Sequence, residues 1–301
     1  MVTKSESRAG RKTKAVMAKP PEAKRVQPTN GNGTALSNQE VLCRLYFSML
    51  KCRMLSERAQ RVVTVRDPAD YDFAIGREAI VVGATLELGP EDTIAASPRN
   101  FSAQVAKGAS VEALSSQPSH EDRTQPGSTA RLDPFNLGTG LALAQRLEKK
   151  RNVVVALCSS SDAASPDCRH EAMKFAGIHK LPVIYVLKRS SAFELGPEKR
   201  SPALEELSFM ARDCGFPAII VDGQDAVAVW RVAQESIHRA RNGAGPTLIE
   251  CDTESSPDTD PLAHLEHYMR KRGVWDDQWR RDAAHRIDAE IAETATAFSG
   301  E

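Results

Sequence analysis

From Leu42 onward, apolar residues recur at helical spacing. Leu42, Leu45, Tyr46, Met49, Leu50 and Met54 line one side of "SNQEVLCRLYFSMLKCRMLSERAQRV". Ser37 followed by Glu40 forms a capping box for that helix. A second helix is predicted over "REAIVVGATLEL", stopped by Gly89-Pro90, and "DTIAAS" reads as a short strand. Two kinds of pattern then alternate. "GTGLALAQRLEKK", "HEAMKFAGIHK", "LEELSFMARDCG" and "AVAVWRVAQESIHRARNG" have helical periodicity. Between and after them, "NVVVAL", "LPVIYVLK", "PAIIVDG" and "PTLIECDT" are short continuous apolar runs, which places strands near 152–159, 181–188, 218–222 and 247–252. Residues from about 262 onward are helical and charged. Such alternation predicts an α/β fold, a parallel sheet flanked by helices.

Residues 1–37 are rich in Lys, Pro, Gly, Ser and Thr and hold hardly any large apolar residue. They bury too little surface to offset ordering entropy, so a disordered basic tail is predicted there, with one domain over 38–301. The Ser/Pro/Gln-rich stretch 115–134 reads as an exposed loop inside that domain.

Charge sharpens this division. The chain has 301 residues with 40 Lys+Arg and 40 Asp+Glu. Residues 1–25 hold eight Lys/Arg and two Glu, a net of +6, so the remainder carries 32 against 38, or −6. An acidic folded part argues against a nucleic-acid partner and leaves the tail as the segment suited to acidic surfaces. No apolar run approaches the roughly 20 residues that span a bilayer, and no hydrophobic signal core opens the chain. The six cysteines form no C-x-x-C pair, which disfavours zinc and points to reduced thiols in the cytoplasm.

In an open parallel sheet, ligands sit at the carboxyl ends of the strands. "CSSSDAASPDCRHEA" follows the strand "NVVVAL" at such a place, yet it offers serines and one aspartate and no glycine. It contains no Gly-x-Ser-x-Gly elbow, so Ser159 to Ser161 do not read as a nucleophile site. His170 and His179 fall on helical patterns as packing or surface residues. Glu78 in "GREA" reads as a structural carboxylate. His264, Glu266 and His267 have helical-surface spacing, and Asp225 in "DGQD" reads as a helix cap.

The segments "LYFSMLKCRMLSERA", "IGREAIVVGATLELGPEDTIAAS", "LGTGLALA", "HEAMKFAGIHKLPVIYVLK", "GFPAIIVDGQDAVAVWRVAQESIHRARNGAGPTLIE" and "DPLAHLEHYMRKRGVWD" run collinearly from about Leu42 to Phe298. In this order they resemble the alpha subunit of the thiamine-diphosphate-dependent 2-oxo acid dehydrogenases, of pyruvate or acetoin dehydrogenase type. The resemblance implies a thiamine-diphosphate-binding fold and pairing with a beta subunit. It also implies thiamine diphosphate and magnesium as cofactors. The implied reaction is 2-oxo acid decarboxylation with acyl transfer to a lipoyl group.

The resemblance also implies positions for the cofactor. The family's Gly-Asp-Gly falls on Ser160, Ser161 and Asp162, so Ser161 stands where the metal-ligating Asp would be. Ser165 and Ser190 replace two Asn, Ala192 replaces a Tyr whose backbone ligates the metal, and Ser255 replaces an Arg. No His precedes His264 where the family places one in a loop, and Pro98 replaces a Tyr. Arg99 matches an Arg that contacts the diphosphate. The implied reading is a catalytically degenerate homologue. It would act as a structural or regulatory subunit, partnered by a beta-like subunit or by itself, with cofactor binding weak or lost and no residue assigned a catalytic or metal-ligating role. Two alternatives stay open. One is an active decarboxylase with an altered site, in which Asp162 slips by one residue or Lys188 and Arg189 replace the cation. The other is a binding protein that works through the basic tail.

Overall fold

The computed structural model describes residues 38–63, 75–97, 100–106, 133–159, 166–189, 202–253 and 260–298. The tail 1–37, Ser37 of the capping box, and the loop 115–132 lie outside them. The described elements, in chain order, are α1 Asn38–Val63, α2 Glu78–Thr85, β1 Thr93–Ala96, α3 Phe101–Ala106, α4 Pro134–Leu147, β2 Val154–Ser159 and α5 Pro166–Ile178. β3 Val183–Arg189, α6 Pro202–Asp213, β4 Ala218–Asp222, α7 Ala226–Arg241, β5 Thr247–Asp252, α8 Pro261–Lys271 and α9 Asp277–Phe298 follow.

The five strands pair in parallel in the order β1-β2-β3-β5-β4. The first five positions of β2, β3 and β5 are all buried because both faces of these strands are covered, and all but Thr247 and Glu250 of them are apolar. Val154, Ala156, Val183, Tyr185 and Leu248 pack on one face against Phe135 and Ala142 of α4, Met173 of α5, and Leu207 and Ala211 of α6. Val155, Leu157, Ile184, Val186 and Ile249 pack on the other against Ile80 and Val81 of α2 and Val229, Ala233 and Ile237 of α7. β2 and β3 each begin two residues later than the apolar runs predict. The run into β3 includes Pro182, which has no N–H for the ladder, although its carbonyl accepts from Val154. α5 begins at Pro166, before the periodic run at His170, and α3 carries no sequence signal long enough to read.

A third cluster lies outside this sandwich. Leu45, Tyr46 and Met49 of α1 pack with Leu265 and Met269 of α8 and Ile287 and Ile291 of α9. Tyr46 is its fully buried hub. Its ring lies edge-on to Trp275 at 4.9 Å, and its hydroxyl donates to Glu266 at 2.5 Å and accepts from Arg280 at 3.1 Å. Burial and the Glu266 carboxylate push the Tyr46 hydroxyl above its usual range. Arg53 of α1 ties this layer to the sheet. It donates two hydrogen bonds to Glu78 at the start of α2 and one to Asp260 at 2.7 Å, and Asp260 also caps α8.

A Cβ added at Gly138 in α4 would lie 2.8 Å from the Ala156 Cβ, whereas one at Gly140 would meet nothing within 4 Å. Gly138→Ala should lower the melting temperature, because the overpacking cost of about 1–3 kcal/mol exceeds the roughly 1 kcal/mol gained in helix propensity. Gly140→Ala, two residues away, should raise it by that gain alone; equal shifts for the two would contradict this packing. Arg53→Met should cost about 3–5 kcal/mol in denaturant unfolding, because it strands the fully buried Glu78 carboxylate. Adding Glu78→Gln should recover much of that loss.

Candidate functional site

The strand order fixes where a ligand crevice can form. The chain leaves β3 toward α6 on the first face of the sheet. It leaves the adjacent β5 toward α8, which packs with the helices beyond the second face. This divergence is a topological switch point, and crevices open there at the carboxyl ends of the strands. Paired residues at that edge are Ser159 with Lys188, Lys188 with Cys251, and Arg189 with Asp252, followed by Asp252 with Asp222.

Alternation places Arg189, Glu250, Asp252 and Asp222 on the α4–α6 face. Arg189 forms ion pairs with Asp252 at 3.1 Å and with Glu250 at 3.6 Å. Glu250 is almost wholly buried and accepts a hydrogen bond from Ser208 of α6. Burial pushes the Glu250 carboxyl above its usual value, against the opposing pull of Ser208 and Arg189. The Thr253 hydroxyl donates to the Arg189 carbonyl at 2.8 Å, which ties the two strand ends together.

The β4–α7 turn closes the neighbouring end. Gly223 donates to the Asp252 carbonyl at 2.6 Å, and a Cβ there would lie 2.8 Å from that oxygen. Glycine is therefore required by close approach. Asp225 caps α7 by accepting from Val227 and Ala228. His264 lies on α8, with Nδ1 3.3 Å from the Gln224 carbonyl.

The family-equivalent positions Arg99, Ser160, Ser161, Asp162, Ser190 and Ala192, together with Pro98, Ser165 and Ser255, lie outside the described residues. Lys188 and Arg189, read as cations that could face a phosphate, do end β3, but Arg189 is engaged by two carboxylates. Glu78 is the structural carboxylate that its helical setting suggests, bound by Arg53 and by the Gly76 N–H. His179 is exposed and lies against Phe175, and Glu266 is taken by Tyr46 and Arg280. Burial pushes the Cys52 thiol up to about 12 and raises Cys251 as well, so neither supplies a thiolate near neutral pH. Sequence reading missed the Ser208–Glu250–Arg189–Asp252 chain. Its only local signal is the acidic pair flanking Cys251 at the end of an apolar strand.

Magnesium takes near-octahedral oxygen ligands, usually one or two carboxylates beside phosphate oxygens. Among the described residues no group of three or more His, Cys, Asp or Glu is placed to hold a metal ion. The strand-end carboxylates Glu250 and Asp252 already face a guanidinium. The positions that the family resemblance assigns to the metal and the diphosphate lie outside the described residues.

Residues 46–254 match the family Dehydrogenase E1 component. Among curated proteins, the chain is 29% identical over 245 residues to the alpha subunit of acetoin:2,6-dichlorophenolindophenol oxidoreductase from Bacillus subtilis, covering 73% of this chain and 72% of that one. It is 26% identical over 302 residues to the 2-oxoisovalerate dehydrogenase subunit alpha of the same organism, covering 86% and 90%. It is also 26% identical over 283 residues to the pyruvate dehydrogenase E1 component subunit alpha of Staphylococcus aureus, covering 84% and 76%. A solved structure from Mycobacterium smegmatis, described as of thiamin diphosphate-dependent type, overlaps 60% of this chain but only 32% of its own, at 15% identity and a TM-score of 0.40. The architecture rests on the strand pairing above rather than on that overlap. With the family match spanning most of the sheet and its crossover helices, the chain belongs to the dehydrogenase E1 component family.

Proposed function

We propose that this chain is an alpha-type dehydrogenase E1 subunit that has lost its catalytic grip and serves as a structural or regulatory partner. It would pair with a beta-type subunit or with itself. The observation that carries the reading is at the switch point. There Arg189, which directly precedes the position assigned to the ligating Asn (Ser190), is paired with Asp252 and Glu250, so an internally neutralised guanidinium ends the strand that leads to that position. The sequence supports the same reading at Ser161, Ser165, Ser190 and Ser255, where small hydroxyls stand at positions the family resemblance assigns to Asp, Asn, Asn and Arg. A hydroxyl brings no charge to share with a divalent cation or a diphosphate, and charge-assisted contacts are about twice as strong as neutral ones.

The test uses the full chain, alone and co-expressed with a beta-type subunit. Calorimetry with thiamine diphosphate and magnesium should show no saturable binding below about 1 mM, since each missing charge-assisted contact removes about 1.5–3 kcal/mol and 1.4 kcal/mol is tenfold in affinity. Neither preparation should decarboxylate pyruvate or branched 2-oxo acids, and neither should cleave the carbon–carbon bond of acetoin. Ser161→Asp with Ser190→Asn should restore metal-dependent cofactor binding. Micromolar binding by the unaltered chain, with turnover in the co-expressed form, would replace this reading by that of an active decarboxylase.

A further inference from the structure

The chain that links Ser208, Glu250, Arg189 and Asp252 lies where a parallel α/β sheet opens to ligands, and it is built from residues of three elements. Arg189 ends β3, Glu250 and Asp252 end β5, and Ser208 reaches in from α6. The Arg189 side chain is 26% exposed and Asp252 is 51% exposed, whereas Glu250 is 1% exposed. The guanidinium thus is partly open to solvent and has one buried counter-ion and one solvent-facing counter-ion. Asp222 pairs with Asp252 across the β4–β5 ladder on the same face. Arg212 of α6 also acts electrostatically on Glu250. The groups paired with Arg189 are therefore Asp252 and Glu250.

We infer that Arg189 is a latent receptor for a phosphate-bearing anion, held shut by Asp252 as an internal substitute ligand and anchored from below by Glu250. A guanidinium offers a planar fork of donors suited to phosphate oxygens. Asp252 occupies part of that fork and presents like charge to any incoming anion. Glu250, fixed by Ser208, keeps the guanidinium oriented after Asp252 is neutralised. The inference rests on the reading of this edge as a closed cofactor site and says what closes it.

The probe is inorganic diphosphate in metal-free buffer, titrated calorimetrically into the full chain. The wild type should give no saturable heat to about 1 mM. Asp252→Asn, at a half-exposed position where the isosteric amide leaves the backbone untouched, should bind about 10- to 100-fold more tightly, the size of one charge-assisted contact. Arg189→Met in the Asp252→Asn background should abolish that gain. Two results overturn the inference: wild type that binds diphosphate as tightly as Asp252→Asn, or an Asp252→Asn protein that melts like wild type and gains no affinity. Because the titration contains neither thiamine nor magnesium, either failure leaves the proposed loss of cofactor binding to be judged by its own calorimetry. A cofactor-competent wild type would conversely remove that proposal without deciding whether Asp252 screens Arg189.

Discussion

The ladder of β2, β3 and β5 imposes the constraint on which the rest of this chain depends. Parallel neighbours cannot be joined by a tight turn, so each pair needs a crossover that covers one face of the sheet. With both faces covered, the strands are buried along their length and mostly apolar. Here Val154 to Cys158, Val183 to Leu187 and Thr247 to Cys251 are buried. The same constraint sorts the helices. α4, α5 and α6 lie on one face and α2 and α7 on the other, because the chain moves one way along the sheet to β4 and then turns back to insert β5.

The two ends of the sheet are used differently. At the amino end, Asp92 accepts from the Gly89 and Val153 N–H groups and pairs with Arg241 at 2.6 Å, so a single carboxylate stitches β1, β2 and α7 together. At the carboxyl end, the comparable charges meet at the switch point between β3 and β5. There the side chains are partly exposed and Glu250 is held with a raised affinity for its proton. A buried carboxylate facing a half-exposed guanidinium costs desolvation that packing alone would not require.

The helical layer of α1, α8 and α9 adds stability by other means. Its apolar cluster centres on Tyr46, and its charged ties, Arg53 with Glu78 and Asp260 and Arg280 with Glu266, join segments far apart in the chain. Arg53 couples the start of α2 to the start of α8, so this layer also braces the ligand edge of the sheet. Among the described residues no helix is long and apolar enough to cross a membrane, in keeping with the charged outer faces of α8 and α9.

Local periodicity made much of the fold legible. The continuous apolar runs located β2 to β5, and 3.6-residue patterns located α1, α2, α4, α6, α7 and α8, because a buried strand and an amphipathic helix each need only their own side chains to declare which faces are covered. Asp225 as a cap and Glu78 as a structural carboxylate were legible for the same reason, since each acts near its own helix start. The collinear motifs also indicated the family. The insertion of β5 between β3 and β4 was not legible, because strand order is decided by long-range pairing and packing and leaves no local period. Everything that depends on that order was hidden with it. Arg189 meets Asp252 and Glu250 only because β3 and β5 are neighbours, and Ser208 reaches Glu250 only because α6 covers that junction. The sequence by itself determined the elements, their faces and the kinship of the chain. The tertiary structure alone decided which charges share the strand-end crevice, because an ion pair depends on distance in space and not on separation along the chain.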